Sequence, residues 1–364
     1  FILVDDVSYM DFSCLGQKQF TTPNIDRLAT QGRIFSNAYA GGPWCAPSRT
    51  ALLTGLHASH AAPLAKDAAG HGTKHRPTVA EQLKMVGYAT CMVGKWHMYE
   101  GGDSWAIGKK GTRHNTWKEA ENATSWASMP WNRGFDVCRV GYRCGLIPGG
   151  RPGCTNPYWP YRIETGDRTF IDLPENQKID ANHLMLNYFS APGFKKMFNA
   201  QGVYQDPAGR DASQLKFAED IYRQTALEFM RTNASTHAAS SRLREGSSPR
   251  LAGQAGSAQG KTRPFFLYYA TSLAHGPLSA RNLARYNDKP WKNANRIWAS
   301  LISEIDDSVG LILKEVEALG LERNTIILFA SDNGHAASGY LGHNTWQEDP
   351  LFKHKGPWNR GKGT

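Results

Sequence analysis

Thr325-Ile-Ile-Leu-Phe-Ala-Ser-Asp-Asn-Gly334 begins as an apolar run and ends abruptly in polar residues. An uninterrupted apolar run of this length is typical of a strand that is buried on both faces of a sheet. The amphipathic stretch Trp298–Leu319 precedes it and is followed by Gly320, a common helix C-terminal residue. This order of helix and strand predicts a parallel sheet covered by helices.

The same alternation continues through the rest of the chain. Further strands are predicted at Phe1–Val4, Tyr88–Val93 and Phe265–Ala270. Further helices are predicted at Asn24–Gln31 with Asn24 as the N-cap, at Thr78–Val86 from a capping box, and at Ala212–Arg231. We therefore expect an α/β fold with a mostly parallel central sheet and helices on both faces.

The domain organisation follows from length and composition. We interpret residues 1–364 as one domain, with an irregular excursion at 98–170 and a flexible insertion at 234–262. Phe1 opens directly into a strand, so we expect the true N-terminus, with any signal peptide, to be missing from this sequence; the last residues close no element. The sequence is thus expected to be a fragment at both ends.

Composition excludes several classes of protein. Hydrophobic residues make up 40% and charged residues 20%, which is ordinary for a globular protein and unlike a disordered or fibrous one. No apolar run approaches the roughly 20 residues of a membrane-spanning helix. The net charge of +10 favours anionic partners. Among the six cysteines, Cys138, Cys144 and Cys154 cluster, and either one disulfide or buried free thiols fit them.

Polar residues follow each predicted strand at the point where the strand ends. Asp5 and Asp6 follow the first strand, Gly94-Lys-Trp-His97 the second, Ala274-His275 the third, and Asp332-Asn333 the fourth. Ligands bind open α/β sheets beyond the carboxyl ends of the strands. We therefore expect these side chains to form one site.

The residue types in this set indicate a cation and an anionic substrate. Four residues supply only oxygen ligands, the kind that Ca²⁺ and Mg²⁺ prefer: Asp5, Asp6, Asp332 and Asn333. Adjacent carboxylates repel one another unless a cation offsets their charge. Lys95, His97 and His275 would add donors for a tetrahedral anion. Each of these residues taken singly also fits an ordinary turn, cap or surface position.

A further motif is Cys45-Ala-Pro-Ser-Arg-Thr-Ala-Leu-Leu-Thr-Gly55, in which Cys45 begins a short helix near the positive end of its dipole. The stretch resembles the signature Cys-x-Pro-Ser-Arg-x-x-x-Leu-Thr-Gly of the type I sulfatases in the alkaline phosphatase superfamily. Six more blocks occur in the family's order: Thr22–Leu28, Gly94–His97, Arg133–Asp136, the His275 segment, Ser331–Gly334 and Gly361–Thr364.

The resemblance implies a cofactor and a maturation step. In this family a formylglycine-generating enzyme oxidises the motif cysteine, here Cys45, to Cα-formylglycine. One Ca²⁺ is implied, with Mg²⁺ less favoured, held by Asp5, Asp6, Asp332, Asn333 and the modified Cys45. The hydrated aldehyde would attack sulfur, and its second hydroxyl would later release sulfate.

The resemblance also implies a role for each remaining candidate. Arg49 and Lys95 would position the formylglycine, and His97 would hydrogen-bond its hydroxyl. His275 and Lys362 would bind the sulfate, and one of them would protonate the leaving alcohol.

Two departures from the family are expected to matter. The family continues beyond the Gly361–Thr364 block into more sheet and a small C-terminal subdomain, which this sequence lacks. The segment before Lys362 contains four residues that either contact substrate or belong to an ordinary exposed loop: His335, His343, Trp346 and Trp358.

The charge and the many tryptophans favour a sulfated carbohydrate over a small aryl or alkyl sulfate. Two alternatives stay open: a phosphonate or phosphate ester hydrolase of the same superfamily, and an inactive glycan-binding remnant. The basic residues form no dense stripe or known module, so no nucleic-acid partner is expected. The resemblance implies a secreted, periplasmic or lysosomal protein.

Overall fold

The computed structural model describes most of the predicted core and the residues around it. The described ranges are 1–58, 76–98, 130–141, 216–244, 263–271, 273–275, 283–335 and 351–352, with residues 280 and 362. Six short segments are described as backbone only: 107–108, 112–113, 146–147, 151–152, 160–161 and 183–186. Side chains at 140–141, 216–218 and 235–244 are likewise not described.

A six-stranded sheet forms the centre of the described fold. Its strands are β1 (Ile2–Val4), β2 (Ala89–Lys95), β3 (Val137–Gly141), β4 (His183–Leu186), β5 (Phe265–Ala270) and β6 (Phe329–Ser331). Their spatial order is β6-β1-β5-β2-β3-β4, and each neighbouring pair is parallel. The predicted α/β class with a mostly parallel sheet is confirmed.

The other elements of the described residues are helices, single 3₁₀ turns and three short antiparallel strand pairs. The helices are α1 (Pro23–Gln31), α2 (Cys45–Thr54), α3 (Val79–Met85), α4 (Ala218–Arg244) and α5 (Asn293–Ala318). Single 3₁₀ turns lie at Tyr9–Asp11, Ser13–Leu15, Pro130–Asn132, Ala284–Tyr286 and Glu322–Asn324. The strand pairs are Ile107–Gly108 with Thr112–Arg113, Leu146–Ile147 with Arg151–Pro152, and Pro160–Tyr161 with Lys216–Phe217. No helix in the described ranges is both long and apolar enough to cross a bilayer.

Both faces of the sheet are covered. All seven residues of β2 are buried, which requires packing on either side of the strand. On one face, Val93 shares a hydrophobic core with Phe229 of α4 and Ile302 of α5. On the other face, the ring of Phe135 stacks 6.2 Å from that of Tyr268.

Helix α1 begins differently from the prediction. Its N-cap is Thr22 and its first residue is Pro23, so the assignment of Asn24 as N-cap is wrong. Proline suits the first helical position because the N–H that it lacks would have no partner there. The backbone N–H groups of Asn24 and Ile25 donate to Asp306 of α5, at 3.2 and 2.8 Å. A carboxylate from a distant helix therefore caps α1.

The bounds of other elements were also predicted wrongly, and α5 begins at Asn293 rather than Trp298. Helix α4 runs over Ala218–Arg244 rather than Ala212–Arg231, so the beginning of the predicted flexible insertion at 234–262 is helical. Strand β6 is only Phe329–Ser331 rather than Thr325–Ala330. Its described neighbour β1 pairs with all three of these residues. Two strands were not predicted: β3, which lies inside the predicted excursion at 98–170, and β4.

The described cysteines carry free thiols: Cys14, Cys45, Cys91 and Cys138. Cys138 is buried, so the free-thiol interpretation holds for this member of the predicted cluster. Cys144 and Cys154 lie outside the described residues.

Candidate functional site

Four adjacent strands of the sheet, β6, β1, β5 and β2, end at one edge and carry a cluster of polar side chains. Asp332 follows β6, Asp5 follows β1, His275 lies shortly after β5, and Lys95 ends β2. Parallel strands bring their carboxyl ends to the same edge, which is why residues so far apart in sequence meet here.

The acidic part of the cluster is compact and buried. Asp5, Asp6 and Asp332 are at most 1% exposed, and each offers an oxygen within 4.8 Å of the other two. The Asn333 side chain donates to Asp6 Oδ1 at 2.6 Å, and the backbone N–H of Asp6 donates to Asp332 Oδ1 at 3.3 Å. These four residues thus place several oxygen atoms that could ligate a cation close together.

Three buried cations contact these carboxylates. Arg49 Nε donates to Asp332 Oδ2 at 2.9 Å, and Arg49 Nη2 forms an ion pair with the same oxygen at 2.8 Å. Lys95 pairs with Asp5. Lys362 Nζ lies 2.5 Å from Asp6 Oδ1. The repulsion among the carboxylates, which was the reason to expect a bound cation, is therefore partly offset by three cations of the chain itself.

Two oxygen atoms nevertheless remain unused. Asp5 Oδ1 and Asn333 Oδ1 are buried, and neither has a hydrogen-bond partner. A buried oxygen without a partner is costly and uncommon in folded proteins. Carboxylate and amide oxygens are the ligands that hard divalent cations prefer, so the residues present fit such an ion.

Cys45 lies against this group at the start of α2. Its Sγ atom is 3.2 Å from His97 Nδ1, and Sγ lies within 4.8 Å of ligand atoms of Asp5 and His275. Burial by itself raises the pKa of the Cys45 thiol, but the positive charges of Lys362 and Lys95 outweigh it and hold the pKa well below its usual value. Residue 45 thus occupies a setting that stabilises a negative charge.

The two carboxyl groups beside Arg49 differ in acidity. Burial, with the nearby charge of Asp5, raises the pKa of Asp332 to about 7. Burial also acts to raise the pKa of Asp5, but the charges of Lys95 and His275 outweigh it and lower the pKa well below its usual range. The same site therefore holds one strongly acidic and one weakly acidic carboxyl group.

The backbone is strained where it approaches the site. Among the described residues, the non-glycine positions with positive φ are Asp6, His97 and Ala274, at 59°, 59° and 72°. Gly94, with φ of 100°, lies so close to Ala270 that a Cβ atom would be 1.9 Å from its carbonyl oxygen. Such strain persists only where the surrounding structure enforces it, and it is common at functional sites.

The structure brings all ten predicted site residues together. Each is buried and has a contact within the cluster: Asp5, Asp6, Cys45, Arg49, Lys95, His97, His275, Asp332, Asn333 and Lys362. His335 is buried as well, and its carbonyl accepts from the backbone N–H of Lys362 at 2.7 Å. The other predicted loop residues lie outside the described ranges: His343, Trp346 and Trp358.

Sequence reasoning missed Tyr268 of β5. This residue is fully buried and interacts electrostatically with Arg49, and burial raises its pKa to about 12. Its position inside an apolar strand gave no signal, because a tyrosine there is indistinguishable from ordinary core.

Comparison with known proteins identifies relatives along most of the chain. The Sulfatase family model matches residues 1–138 and 157–358. Human N-acetylgalactosamine-6-sulfatase is 26% identical over 349 residues, covering 92% of this chain and 49% of that protein. N-acetylgalactosamine-6-O-sulfatase of Bacteroides thetaiotaomicron is 29% identical over 359 residues, covering 92% and 58%. Human arylsulfatase A is 26% identical over 342 residues, covering 92% and 51%.

A solved structure supports the same fold. The structure of Ps i-CgsB in complex with k-i-k-neocarrahexaose aligns with this chain with a TM-score of 0.57 and 24% sequence identity. The alignment covers 100% of this chain and 61% of that one. The chain spans about half the length of the mammalian relatives that it matches. Because the family model covers well over half of the sequence, this chain belongs to the sulfatase family.

Proposed function

We propose that this chain forms the catalytic site of a sulfuric ester hydrolase. The proposed nucleophile is Cα-formylglycine made from Cys45, and the proposed cofactor is one Ca²⁺. The observation that carries the proposal is the position of Cys45. Its sulfur lies 3.2 Å from His97 and within 4.8 Å of ligand atoms of Asp5 and His275, inside a buried cluster of carboxylates and cations.

The proposed Ca²⁺ ligands are Asp5, Asp6, Asp332, Asn333 and the modified residue 45. The buried, unpartnered oxygens of Asp5 and Asn333 support this assignment. Bound Ca²⁺ would supply positive charge that polarises a sulfate oxygen and increases the acidity of a neighbouring hydroxyl. Mg²⁺ fits less well, because it usually keeps several waters and these ligands are almost fully buried.

Three residues are proposed to orient the nucleophile. Formylglycine hydrate would offer one hydroxyl for attack and a second through which the product is released. Arg49 bonds Asp332 and the carbonyl of Lys95, so it fixes the end of β2 against the ligand group. Lys95 would stabilise the attacking oxygen, and His97, next to residue 45, would accept the proton of the second hydroxyl.

His275 and Lys362 are proposed to bind the sulfate group. Both face Asp6: His275 Nε2 lies 3.6 Å from its Oδ2, and Lys362 Nζ lies 2.5 Å from its Oδ1. Their donors would interact with sulfate oxygens, and one of them would transfer a proton to the leaving alcohol.

The proposed substrate class is a sulfated carbohydrate. Two of the relatives are named for sulfated N-acetylgalactosamine, and one structural neighbour was solved with neocarrahexaose. The net charge of +10 favours a polyanionic substrate. The family resemblance supports a formylglycine-generating enzyme as maturation partner and a secreted, periplasmic or lysosomal location.

The first test is the chemical state of residue 45. The protein would be expressed with a formylglycine-generating enzyme, and the peptide containing residue 45 would be analysed by mass spectrometry. Formylglycine makes that peptide about 18 Da lighter than the cysteine form. An unmodified thiol under these conditions would contradict the proposal and favour the glycan-binding alternative.

The second test is turnover on matched aryl esters. We expect the modified enzyme to hydrolyse an aryl sulfate faster than the corresponding aryl phosphate. Cys45→Ser keeps one hydroxyl but lacks the second, so it should complete at most one turnover per molecule. Sustained turnover by Cys45→Ser, or a preference for phosphate, would overturn the assignment.

A further inference from the structure

A buried acid outside the proposed catalytic residues contacts the segment that carries His275. Glu219 lies in the first turn of α4 and is 0% exposed. Its Oε1 accepts a hydrogen bond from the Tyr269 hydroxyl at 2.5 Å, and its Oε2 accepts one from the Thr271 hydroxyl at 2.8 Å. Tyr269 lies within β5, whereas Thr271 lies just beyond the strand end.

The Thr271 hydroxyl links this acid to the backbone that leads to the site. Its single proton is donated to Glu219, so its lone pairs are free to accept from the backbone N–H of Leu273 at 3.1 Å. The next residue, Ala274, has φ of 72° and His275 follows it. Glu219 therefore orients a hydroxyl, and the hydroxyl holds the turn in which the strained residue lies.

We propose that Glu219 and Thr271 are positioning residues that hold the His275 segment in its sulfate-binding geometry. The proposal rests on the function proposed above for His275. The two oxygens of Glu219 have different partners. Oε1 contacts Tyr269 of β5 and, at 3.2 Å, the Ser308 hydroxyl of α5, whereas Oε2 contacts Thr271, which leads to His275.

The cost of this arrangement argues against an incidental contact. Burial raises the pKa of the Glu219 carboxyl, although Arg223 opposes that rise. Arg223 also donates to the Glu304 side chain, at 2.7 Å, so the charge of Glu219 is only partly offset. If the only role of Glu219 were to attach α4 to β5, the hydrogen bond to Tyr269 would be sufficient. A pair of apolar side chains could replace that bond without burying a carboxyl group.

The chain offers two matched hydroxyl deletions for the test. Thr271→Val and Tyr269→Phe each remove one hydroxyl that donates to the Glu219 carboxylate, and each changes the shape of the side chain little. Thr271→Ser restores the hydroxyl and serves as the rescue variant. If Thr271→Val does not fold, Thr271→Ala removes the same hydroxyl without placing a methyl group in its position.

The first measurement is backbone amide exchange, which does not depend on catalysis. We expect Thr271→Val to speed exchange of the Leu273 amide by at least about tenfold relative to the β5 amides, since its acceptor is lost. Tyr269→Phe should change the exchange rate of the Leu273 amide no more than the rates of the β5 amides. Thr271→Ser should restore the protection of the Leu273 amide. Equal effects of Thr271→Val and Tyr269→Phe on Leu273 would overturn the proposal.

The second measurement is steady-state kinetics on an aryl sulfate. A misplaced His275 should lower kcat by about 10- to 100-fold in Thr271→Val, with recovery in Thr271→Ser. Tyr269→Phe should leave kcat within about twofold of the wild type. Unchanged kcat in Thr271→Val would overturn the positioning role. A wild-type enzyme without sulfatase activity would instead contradict the proposed function, while the exchange result would still report on the contact.

Discussion

Buried carboxylates in two regions of this protein have very different surroundings. At the site, Asp5 and Asp6 pair with lysine ammonium groups, and Asp5 Oδ1 has no hydrogen-bond partner. At the α1–α5 contact, Asp306 accepts from the backbone N–H groups of Asn24 and Ile25 and from the Asn24 side chain, so both of its oxygens are bonded.

The hydrogen bonding of each carboxylate distinguishes one that stabilises the fold from one that is suited to bind a ligand. Asp306 satisfies N–H groups at a helix start, and nothing further is needed to complete its contacts. The site carboxylates are charged, crowded and partly unsatisfied, which costs stability unless a ligand uses the remaining oxygens. The contrast predicts that substitutions in the two regions affect different properties.

The largest effect is expected from removing the buried guanidinium of the site. Arg49→Met leaves Asp332 buried without its main cation and should lower the free energy of unfolding by about 3–5 kcal/mol. Urea unfolding would measure the loss. Arg285→Met is the matched control, because Arg285 pairs with Asp307 in an exposed position and should cost at most about 1 kcal/mol. Equal losses in the two variants would contradict the comparison.

The next effect concerns the unsatisfied oxygens. Ca²⁺ at 100 times its Kd should stabilise the protein by about 2.7 kcal/mol relative to a chelator, measured by thermal unfolding. Asn333→Ala removes one unpartnered oxygen and should weaken this Ca²⁺-dependent gain. Asp306→Asn should keep the full gain. A wild-type protein that Ca²⁺ does not stabilise would contradict a metal site here.

The complementary variant tests the stabilising carboxylate. Asp306→Asn replaces one acceptor oxygen by an N–H₂ group that faces N–H donors at the start of α1. We expect a loss of about 1–2 kcal/mol in the free energy of unfolding. The kcat on an aryl sulfate should stay unchanged, because Asp306 contacts α1 rather than the site. A large fall in kcat with intact stability would reverse the two roles.

The smallest effect concerns pH and a half-buried carboxylate. Burial acts to raise the pKa of Asp136, but the hydrogen bond and charge of Lys84, 2.6 Å away, outweigh it and lower the pKa below 3.8. A carboxyl group with a lowered folded-state pKa stabilises the fold above its unfolded pKa, and this contribution is lost as the pH falls through the folded value. Below about pH 4, the wild type should therefore lose up to about 1 kcal/mol more than Asp136→Asn in urea unfolding. A parallel pH dependence of the two proteins would contradict this.

Local patterns predicted much of the core. The bounds of β5 agree with the apolar run at Phe265–Ala270, and the capping box at Thr78 begins α3 as expected. The errors lie where distant contacts decide. Asn24 resembles an N-cap in sequence, but Asp306 binds its N–H. The apolar run at Thr325–Ala330 predicts a longer strand than the one that pairs with β1, which is Phe329–Ser331.

The sequence by itself determined which residues are available for the site, because polar residues after apolar runs and the Cys45 motif are local properties of the chain. Tertiary structure alone decided the strand order and the contacts among those residues. Asp6 meets Lys362 across 356 positions of sequence, and the unpartnered oxygens of Asp5 and Asn333 exist only once the strand ends have come together. Such contacts depend on how strands from the whole chain are ordered in one sheet, which no local pattern specifies.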